Sequence, residues 1–280
     1  MTAGTSAVAA RPWEYSAFPV RVGARRMLSP QFLRLTLAGD SLEHFAPWGV
    51  DQRIKIVLPM PGGGLGDFGL LDEPTPHPSH WYTRWKNLPA GGRNVLRTYT
   101  PAAIRPDARE IDVDVYLHSP EGPASMWARA AREGDELVIT GPDARHGWTG
   151  YGIHWTPPAA GPVLLVGDET ALPAVRNILA SLPPEAAGVA IVEIGDPADD
   201  AALADPGRRV PDGVEVRIVR RGETESAVRA HASADLGAAW LAGESGVVTA
   251  CRRLLVREAG LPRECLSFLG YWREGGPLVG

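Results

Sequence analysis

The chain has 280 residues, of which 44% are hydrophobic and 22% charged, so it is long enough for two folded domains and is not a disordered protein. Its formal net charge of −5 argues against nucleic acid as the main partner, because neutralising phosphates requires clustered lysine and arginine. The two cysteines, Cys251 and Cys265, and the scattered histidines lack metal-ligand spacing, so no metal site is predicted.

The apolar segments and the first residues bear on location. No apolar run approaches the length needed to cross a membrane, and residues 1–10 lack the basic region of a signal peptide. We therefore expect a cytoplasmic protein without membrane insertion, with a flexible tail over residues 1–14. The oligomeric state stays open.

The first half of the chain has the pattern of an all-β domain, in which turns separate short strands. Alternating or apolar runs at 32–37, 53–58, 111–117 and 136–140 predict strands, and Gly or Pro follows several of them. One short helix is predicted over about 123–131. Many short strands with a single helix indicate a closed or nearly closed antiparallel β-barrel, which we assign to residues 15–157.

Residues 59–93 interrupt this pattern. The segment is rich in glycine and proline and contains Trp81, Tyr82 and Trp85. Loops of this length in a compact domain tend to be functional or mobile. Its aromatic side chains could stack on a ligand, although covering an open barrel mouth is the plainer explanation.

After Pro157-Pro158 the pattern changes to alternating strands and helices. Short apolar strands are predicted at 163–166, 189–194, 214–219, 238–243 and 265–269, with helices at 171–182 and from about 252 to 259. This order is typical of a doubly wound, parallel α/β domain that binds a nucleotide, here assigned to residues 158–280.

The stretch Arg97-Thr98-Tyr99-Thr100 has the chemistry of a flavin cradle. Arg97 and Tyr99 alternate onto one face of a strand, where a ring can lie on an isoalloxazine and a guanidinium can pair with phosphate. The Thr100 hydroxyl can meet the flavin N5 atom, which makes Tyr99 and Thr100 the candidate catalytic residues. An ordinary half-exposed strand can carry the same four residues.

A second phosphate-binding feature follows this strand. Gly122-Pro123 opens a helix whose first N–H groups can receive a pyrophosphate.

Several motifs together resemble the siderophore-interacting, FAD-binding proteins, a branch of the ferredoxin-reductase-like flavoproteins. They are Arg97 to Thr100; Asp112-Val113-Asp114 with His118; Gly122 to Ser125 with Trp127; Gly167 to Pro173; Ala242-Gly243-Glu244; and Gly270 to Arg273. The resemblance implies a ferric-siderophore reductase that holds FAD and uses NADH or NADPH. The siderophore itself is not identified.

The resemblance also implies roles for individual residues. The flavin ring and phosphates are assigned to Arg97, Thr98, Tyr99, Thr100, His118, Gly122, Ala124 and Ser125. The nicotinamide dinucleotide and the nicotinamide face of the flavin are assigned to Gly167, Asp168, Glu169, Thr170, Gly243, Glu244, Tyr271 and Trp272. Physically, the amide and hydroxyl of Thr170 could reach a diphosphate, or Thr170 could be only a helix cap.

Substrate charge and coenzyme choice leave alternatives open. Four cations could dock an anionic ferric chelate, although each could equally be an ordinary surface charge: Lys55, Arg93, Arg145 and Arg273. An acidic turn at 196–200 would favour NADH if it met the ribose, or it could be simply solvated. Arg217, Arg220 and Arg221 could instead serve the 2′-phosphate of NADPH.

Two other functions fit the same motifs. The protein could be a carrier that binds flavin and siderophore without turnover. It could also be a flavin-dependent NAD(P)H reductase whose acceptor is a quinone or another protein, with the 59–93 segment as partner surface.

Overall fold

The computed structural model describes residues 14–203 and 209–275, which fold around two sheets. The proposed tail lies outside the described residues apart from Glu14. The first sheet is an antiparallel half-barrel of seven strands and the second is a parallel sheet of five strands flanked by helices. The predicted fold class is therefore confirmed.

The half-barrel is formed by the first seven strands of the chain. Their bounds are β1 Tyr15–Met27, β2 Phe32–Ala38, β3 Ile54–Val57, β4 Leu96–Tyr99, β5 Ala103–Arg105, β6 Glu110–Tyr116 and β7 Glu136–Pro142. The spatial order is β4-β3-β7-β1-β2-β6-β5, so β4 and β5 are the two edges. The register pairs Leu35 with Val113, and both side chains are fully buried in the barrel core. Period-two alternation thus predicted this face correctly.

Strand β1 has no counterpart among the predicted strands. It contains Pro19 and Gly23, residues that usually interrupt a strand, and its pairing with β2 shifts register between Val22 and Ala24. The bulge breaks the alternation on which the prediction depends, yet β1 lies in the middle of the sheet between β7 and β2.

The 59–93 segment contains a helix that the sequence analysis missed, α1 Pro78–Asn87. Its Trp81 is 2% exposed and packs with Phe68 and Leu70 against Val57 and other residues of the barrel strands. Val57 follows the core residue Ile56, so this cluster covers the outer face of the sheet and not its mouth. The second helix of this half, α2 Pro123–Ala130, agrees with the prediction.

The second sheet is parallel throughout. Its strands are β8 Val163–Gly167, β9 Ala187–Glu193, β10 Gly213–Val219, β11 Ala238–Glu244 and β12 Leu266–Trp272, and its helices are α3 Leu172–Ser181, α4 Thr224–His231 and α5 Ser245–Arg253. The order β10-β9-β8-β11-β12 places β8 at the centre. A π-helical turn over Leu254–Glu258 continues α5. Strand β12 extends beyond the predicted end at 269, which brings Tyr271 and Trp272 into the sheet.

A ladder of charges joins the two halves on the outer face of β2 and β6. Arg34 donates to Asp114 at 2.7 and 2.9 Å, and Arg176 of α3 lies 3.7 Å from the same carboxylate. Asp199, predicted within a possibly solvated turn, is fully buried and accepts from Ser29 Oγ at 2.6 Å and the Gln31 N–H at 2.9 Å. Asp199 of the α/β half is therefore hydrogen-bonded to two residues of the half-barrel.

Two further side chains connect the half-barrel to the α/β half along their contact surface, which we call the seam. The fully buried carboxylate of Asp51 accepts from the N–H groups of His154 and Trp155 at 3.1 Å and from Trp240 Nε1 at 2.9 Å. Asn177 Nδ2 on α3 donates to the carbonyl oxygens of Val50 and Pro101, both at 2.9 Å. Neither residue carried a sequence signal, because an isolated Asp or Asn has no diagnostic spacing.

The packing of α1 predicts a measurable stability difference. Replacing the buried Trp81 by alanine removes its contacts with Phe68 and its hydrogen bond to Tyr15, so Trp81→Ala should lower the free energy of unfolding by about 3 kcal/mol. Trp148→Ala, at a side chain that is 67% exposed, should change it by less than about 1 kcal/mol. Urea unfolding of both variants measures this, and equal losses would show that α1 does not pack as described.

Candidate functional site

Strand β4 carries the predicted flavin cradle. It pairs with β3 so that Tyr99 lies opposite Ile54 and Arg97 opposite Ile56, which places both side chains on the core face of the sheet. Tyr99 is half-buried against the barrel core, and burial raises the pKa of its phenol to about 12. Thr98 lies on the opposite face. The common face of Arg97 and Tyr99 is as predicted, and stacking of Tyr99 on a flavin stays a prediction.

Two hydroxyls meet at the seam, Thr100 just after β4 and Tyr271 near the end of β12. Both oxygens are buried, and neither has a hydrogen-bond partner in the described part of the chain. They lie close together: burial raises the pKa of Tyr271, and the nearby Thr100 hydroxyl opposes that rise. Their geometry nevertheless falls short of a hydrogen bond. The Thr100 hydroxyl lowers the pKa of Tyr271 as a hydrogen-bond partner does, so a small rotation of either hydroxyl lets the two bond each other.

The turn from β6 into α2 is closed by Ser125. This side chain is buried, accepts from the His118 N–H at 3.2 Å and donates to the Tyr116 carbonyl at 3.4 Å. The imidazole of His118 contacts the Trp272 ring, with centroids 6.1 Å apart, and burial lowers the pKa of His118. Gly122 precedes α2 and Ala124 lies in its first turn. No side chain of the described chain caps this helix, so its first N–H groups remain available to an anion.

Asp168 connects the carboxyl ends of β8, β11 and β12. Its Oδ1 accepts from the N–H and hydroxyl of Thr170, at 2.9 and 2.5 Å. Its Oδ2 accepts from the Glu244 N–H at 2.8 Å and from Trp272 Nε1 at 2.7 Å. The expectation that Thr170 offers a free amide and hydroxyl to a diphosphate is therefore corrected: both donate to Asp168, and Asp168, not Thr170, is the cap.

Two glycines allow this close assembly. Gly243 has φ +140°, and a Cβ atom there would lie 2.5 Å from Asp168 Oδ2. A Cβ on Gly167 would lie 2.9 Å from that of Ala171, so glycine permits the helix to approach the strand. Glu244, expected at the nicotinamide face, uses its carboxylate to cap α5 through the N–H groups of Gly246 and Val247.

Glu169 is a buried carboxyl at the seam. It accepts from the Gly195 N–H at 2.8 Å, and the Tyr116 hydroxyl of the barrel lies 3.4 Å away. Burial raises the pKa of Glu169, and the guanidinium of Arg221 at 3.7 Å is its nearest cation. Arg221 remains more than half exposed, whereas Arg220 is bound to Asp200 through two contacts of 2.7 Å.

The four candidate substrate cations are not brought together. Lys55 Nζ lies 3.3 Å from Thr98 Oγ1, and burial followed by the charge of Arg53 lowers the pKa of Lys55. Arg273 is exposed beside Glu244. Arg93 lies over the Trp85 ring in the 59–93 segment. Arg145 is corrected: Nε and Nη2 bind the buried Asp143 carboxylate, so its charge is used internally.

The described residues also bear on membrane and metal sites. Over 14–203 and 209–275, no helix has the length and apolarity to span a bilayer. The same ranges hold no group of three or more His, Cys, Asp or Glu side chains arranged to bind a metal ion.

Comparison with known proteins identifies the class. Residues 21–146 match the siderophore-interacting FAD-binding domain and residues 160–275 match the siderophore-interacting protein domain. The fold is shared with a ferredoxin reductase in carbazole 1,9a-dioxygenase, which is 18% identical, covers 92% of this chain and 70% of its own, and superimposes with a TM-score of 0.59. The chain belongs to the siderophore-interacting protein family, which confirms the resemblance found in its sequence.

Individual relatives span nearly the whole chain. An uncharacterized protein of Mycobacterium tuberculosis is 32% identical over 91% of this chain and 89% of its own. The ferric vibriobactin reductase ViuB of Vibrio cholerae is 26% identical over 90% and 87%. The crystal structure of the siderophore-interacting protein SipS from Aeromonas hydrophila, 28% identical, covers 93% of this chain and 100% of its own with a TM-score of 0.70.

The clash at Gly243 yields a second stability prediction. Gly243→Ala would force a side chain into a left-handed position against the Asp168 carboxylate, so we expect a loss of about 1–3 kcal/mol in the free energy of unfolding. Gly91→Ala is the matched control, because open space surrounds that glycine. Denaturant titration of both variants tests this, and a harmless Gly243→Ala would contradict the described contact.

Burial of Glu169 predicts a pH effect on stability. A carboxyl whose pKa is higher in the folded chain favours folding while protonated, and this advantage is lost as pH rises above the ordinary glutamate value of about 4.3. The wild-type chain should therefore lose more stability between pH 4 and pH 7 than Glu169→Gln. The exposed Glu185→Gln should follow the wild type. Unfolding curves at the two pH values test this prediction. An equal loss of stability in all three proteins would refute the raised pKa of Glu169.

Proposed function

We propose that this protein is an NAD(P)H-dependent ferric-siderophore reductase that holds FAD between its half-barrel and its α/β domain. The proposal depends mainly on the match of residues 21–146 to the siderophore-interacting FAD-binding domain and of residues 160–275 to the siderophore-interacting protein domain. The relation to ferric vibriobactin reductase over 90% of the chain supports the same reaction. Because the electron donor is a nicotinamide coenzyme, we place the reaction in the cytoplasm.

The chain's own groups bind and orient the flavin. Arg97, together with the uncapped N–H groups at the start of α2, supplies positive charge and donors for the phosphates. With FAD bound, the Thr100 hydroxyl would hydrogen-bond the reactive ring edge, and Tyr99 would border the ring. Asp168 fixes Trp272 and the β11–α5 turn on the nicotinamide side through its hydrogen bonds.

The chemistry that FAD supplies when bound is conversion of two-electron donation by a nicotinamide into single-electron reduction of ferric iron. Ferrous iron is a softer ion that hard oxygen donors hold less well, so reduction releases it from the siderophore. No general acid or base is needed for electron transfer, which agrees with the lack of a catalytic triad in the sequence. Lys55, on β3 beside Thr98, provides positive charge for an anionic chelate.

Thr100→Val tests the role of the hydroxyl while preserving side-chain volume. With purified, FAD-loaded protein, a ferric chelate, NADH or NADPH and a ferrous indicator, we expect about a 10-fold loss of the rate of iron reduction, the value of one lost hydrogen bond. Thr149→Val, in an exposed loop, should react like the wild type.

The same assay separates the alternative functions. A wild-type flavin that is bleached by the nicotinamide but yields no ferrous iron indicates a reductase with another acceptor. A flavin that is bound but not bleached by either nicotinamide indicates a carrier. Either result rejects ferric reduction by this protein.

A further inference from the structure

Strand β10 forms an edge of the parallel sheet. It pairs with β9 on one side, and residues 14–203 and 209–275 provide no strand on its other side. Val216 and Ile218, on the same face of β10 as the buried Val214, are 39% and 40% exposed. An edge strand with exposed apolar side chains is a surface on which another strand can pair.

The hydrogen bonds of β10 show which of its backbone groups point away from the sheet. The Val219 carbonyl oxygen accepts from the N–H of Ile194, which directly follows β9, and so points toward β9. Because the backbone groups of successive strand residues point alternately to the two sides, those of Val216 point outward. The Val214 N–H agrees with this direction, since it donates to Pro211 of the preceding turn. Within the described ranges, the outward groups of Val216 have no hydrogen-bond partner.

The charges on the other face of β10 fit an antiparallel second copy of the same strand. Glu215 and Arg217 are both exposed there and form an ion pair of 2.7 Å within one copy. Val216 is the midpoint of the strand, so a two-fold axis through it places Glu215 of each copy opposite Arg217 of the other. Opposite charges in cross-strand positions are favourable, whereas an axis through Glu215 or through Arg217 would place like charges opposite each other.

The backbone and the apolar face fit the same axis. In an antiparallel pair, opposed residues that exchange two hydrogen bonds alternate with opposed residues that exchange none. Val216, which points outward, would exchange both bonds with Val216 of the second copy. The Ile218 N–H would donate to the carbonyl oxygen of Val214 in the second copy, and these two apolar side chains would lie opposite each other. Glu215 and Arg217 then occupy the non-bonded positions, where opposed side chains lie closest.

We propose that β10 pairs antiparallel with β10 of a second copy of this chain, so that the two parallel sheets join into one continuous sheet of a symmetric dimer. Because the paired strands run in opposite directions, the carboxyl ends of the two sheets, near Asp168 and Glu244, face opposite sides and both candidate sites stay open. The contact involves one strand from each copy, so the dimer should be weak, with a Kd on the order of micromolar. The inference does not depend on the proposed function.

Sedimentation velocity of the purified chain at increasing concentration measures this association. The wild type should change from monomer to dimer. Arg217→Glu and Glu215→Arg each place like charges opposite one another, so each should raise the Kd of the dimer about 10-fold. The double variant with both changes restores opposite charges and should have a Kd within about 3-fold of the wild-type value. Arg257→Glu, at an exposed arginine after α5, is the matched control and should leave the Kd unchanged.

Mixing the two single variants tests the register directly. Each variant carries two charges of one sign on this face, so an equimolar mixture should dimerise more strongly than either variant alone. Both positions are exposed, and the urea midpoints of the variants should therefore match the wild type, which separates loss of association from loss of folding. A wild-type chain that stays monomeric at every concentration overturns the inference. A dimer whose Kd neither single change alters uses another surface and overturns it as well.

Discussion

The relative position of the two domains depends on the buried carboxylate of Asp51. Removing a carboxylate charge from water costs on the order of several kcal/mol unless hydrogen bonds replace its hydration. Its donors come from the segment at 154–155 and from Trp240 of β11, so the carboxylate is satisfied only when the half-barrel, the connecting segment and the parallel sheet are assembled together. This makes the seam a single cooperative unit.

The seam in turn determines the site. Asn177 of α3 binds the carbonyl oxygens of Val50 and Pro101 in the half-barrel, and so fixes the chain next to Thr100. Asp168 does the same for the carboxyl ends of β11 and β12. The candidate flavin contacts are therefore carried by the ends of sheet strands that internal hydrogen bonds already hold, and ligand contact needs little further ordering.

The sequence analysis succeeded where residues repeat with a regular period and failed where a tertiary contact decides. Alternation located β2 and β6, and the short apolar runs located the parallel strands. Strand β1 was missed because its bulge at Gly23 breaks the alternation, and α1 was missed because a short polar helix depends on the burial of Trp81. The sequence analysis named the side chains of Thr170 and Arg145 as candidates for ligand binding, but nearby carboxylates bind both.

The sequence by itself determined the two-domain fold class, the family and the strand that carries Arg97 to Tyr99, because these follow from local periodicity and from motifs contiguous along the chain. Only the tertiary structure decided which of those side chains remain free for a ligand. Hydrogen-bond partners such as Asp168 and Trp272 are far apart in sequence, and a buried group is recognised as unpartnered only once every neighbour is in place. The proximity of Thr100 to Tyr271 is of this second kind.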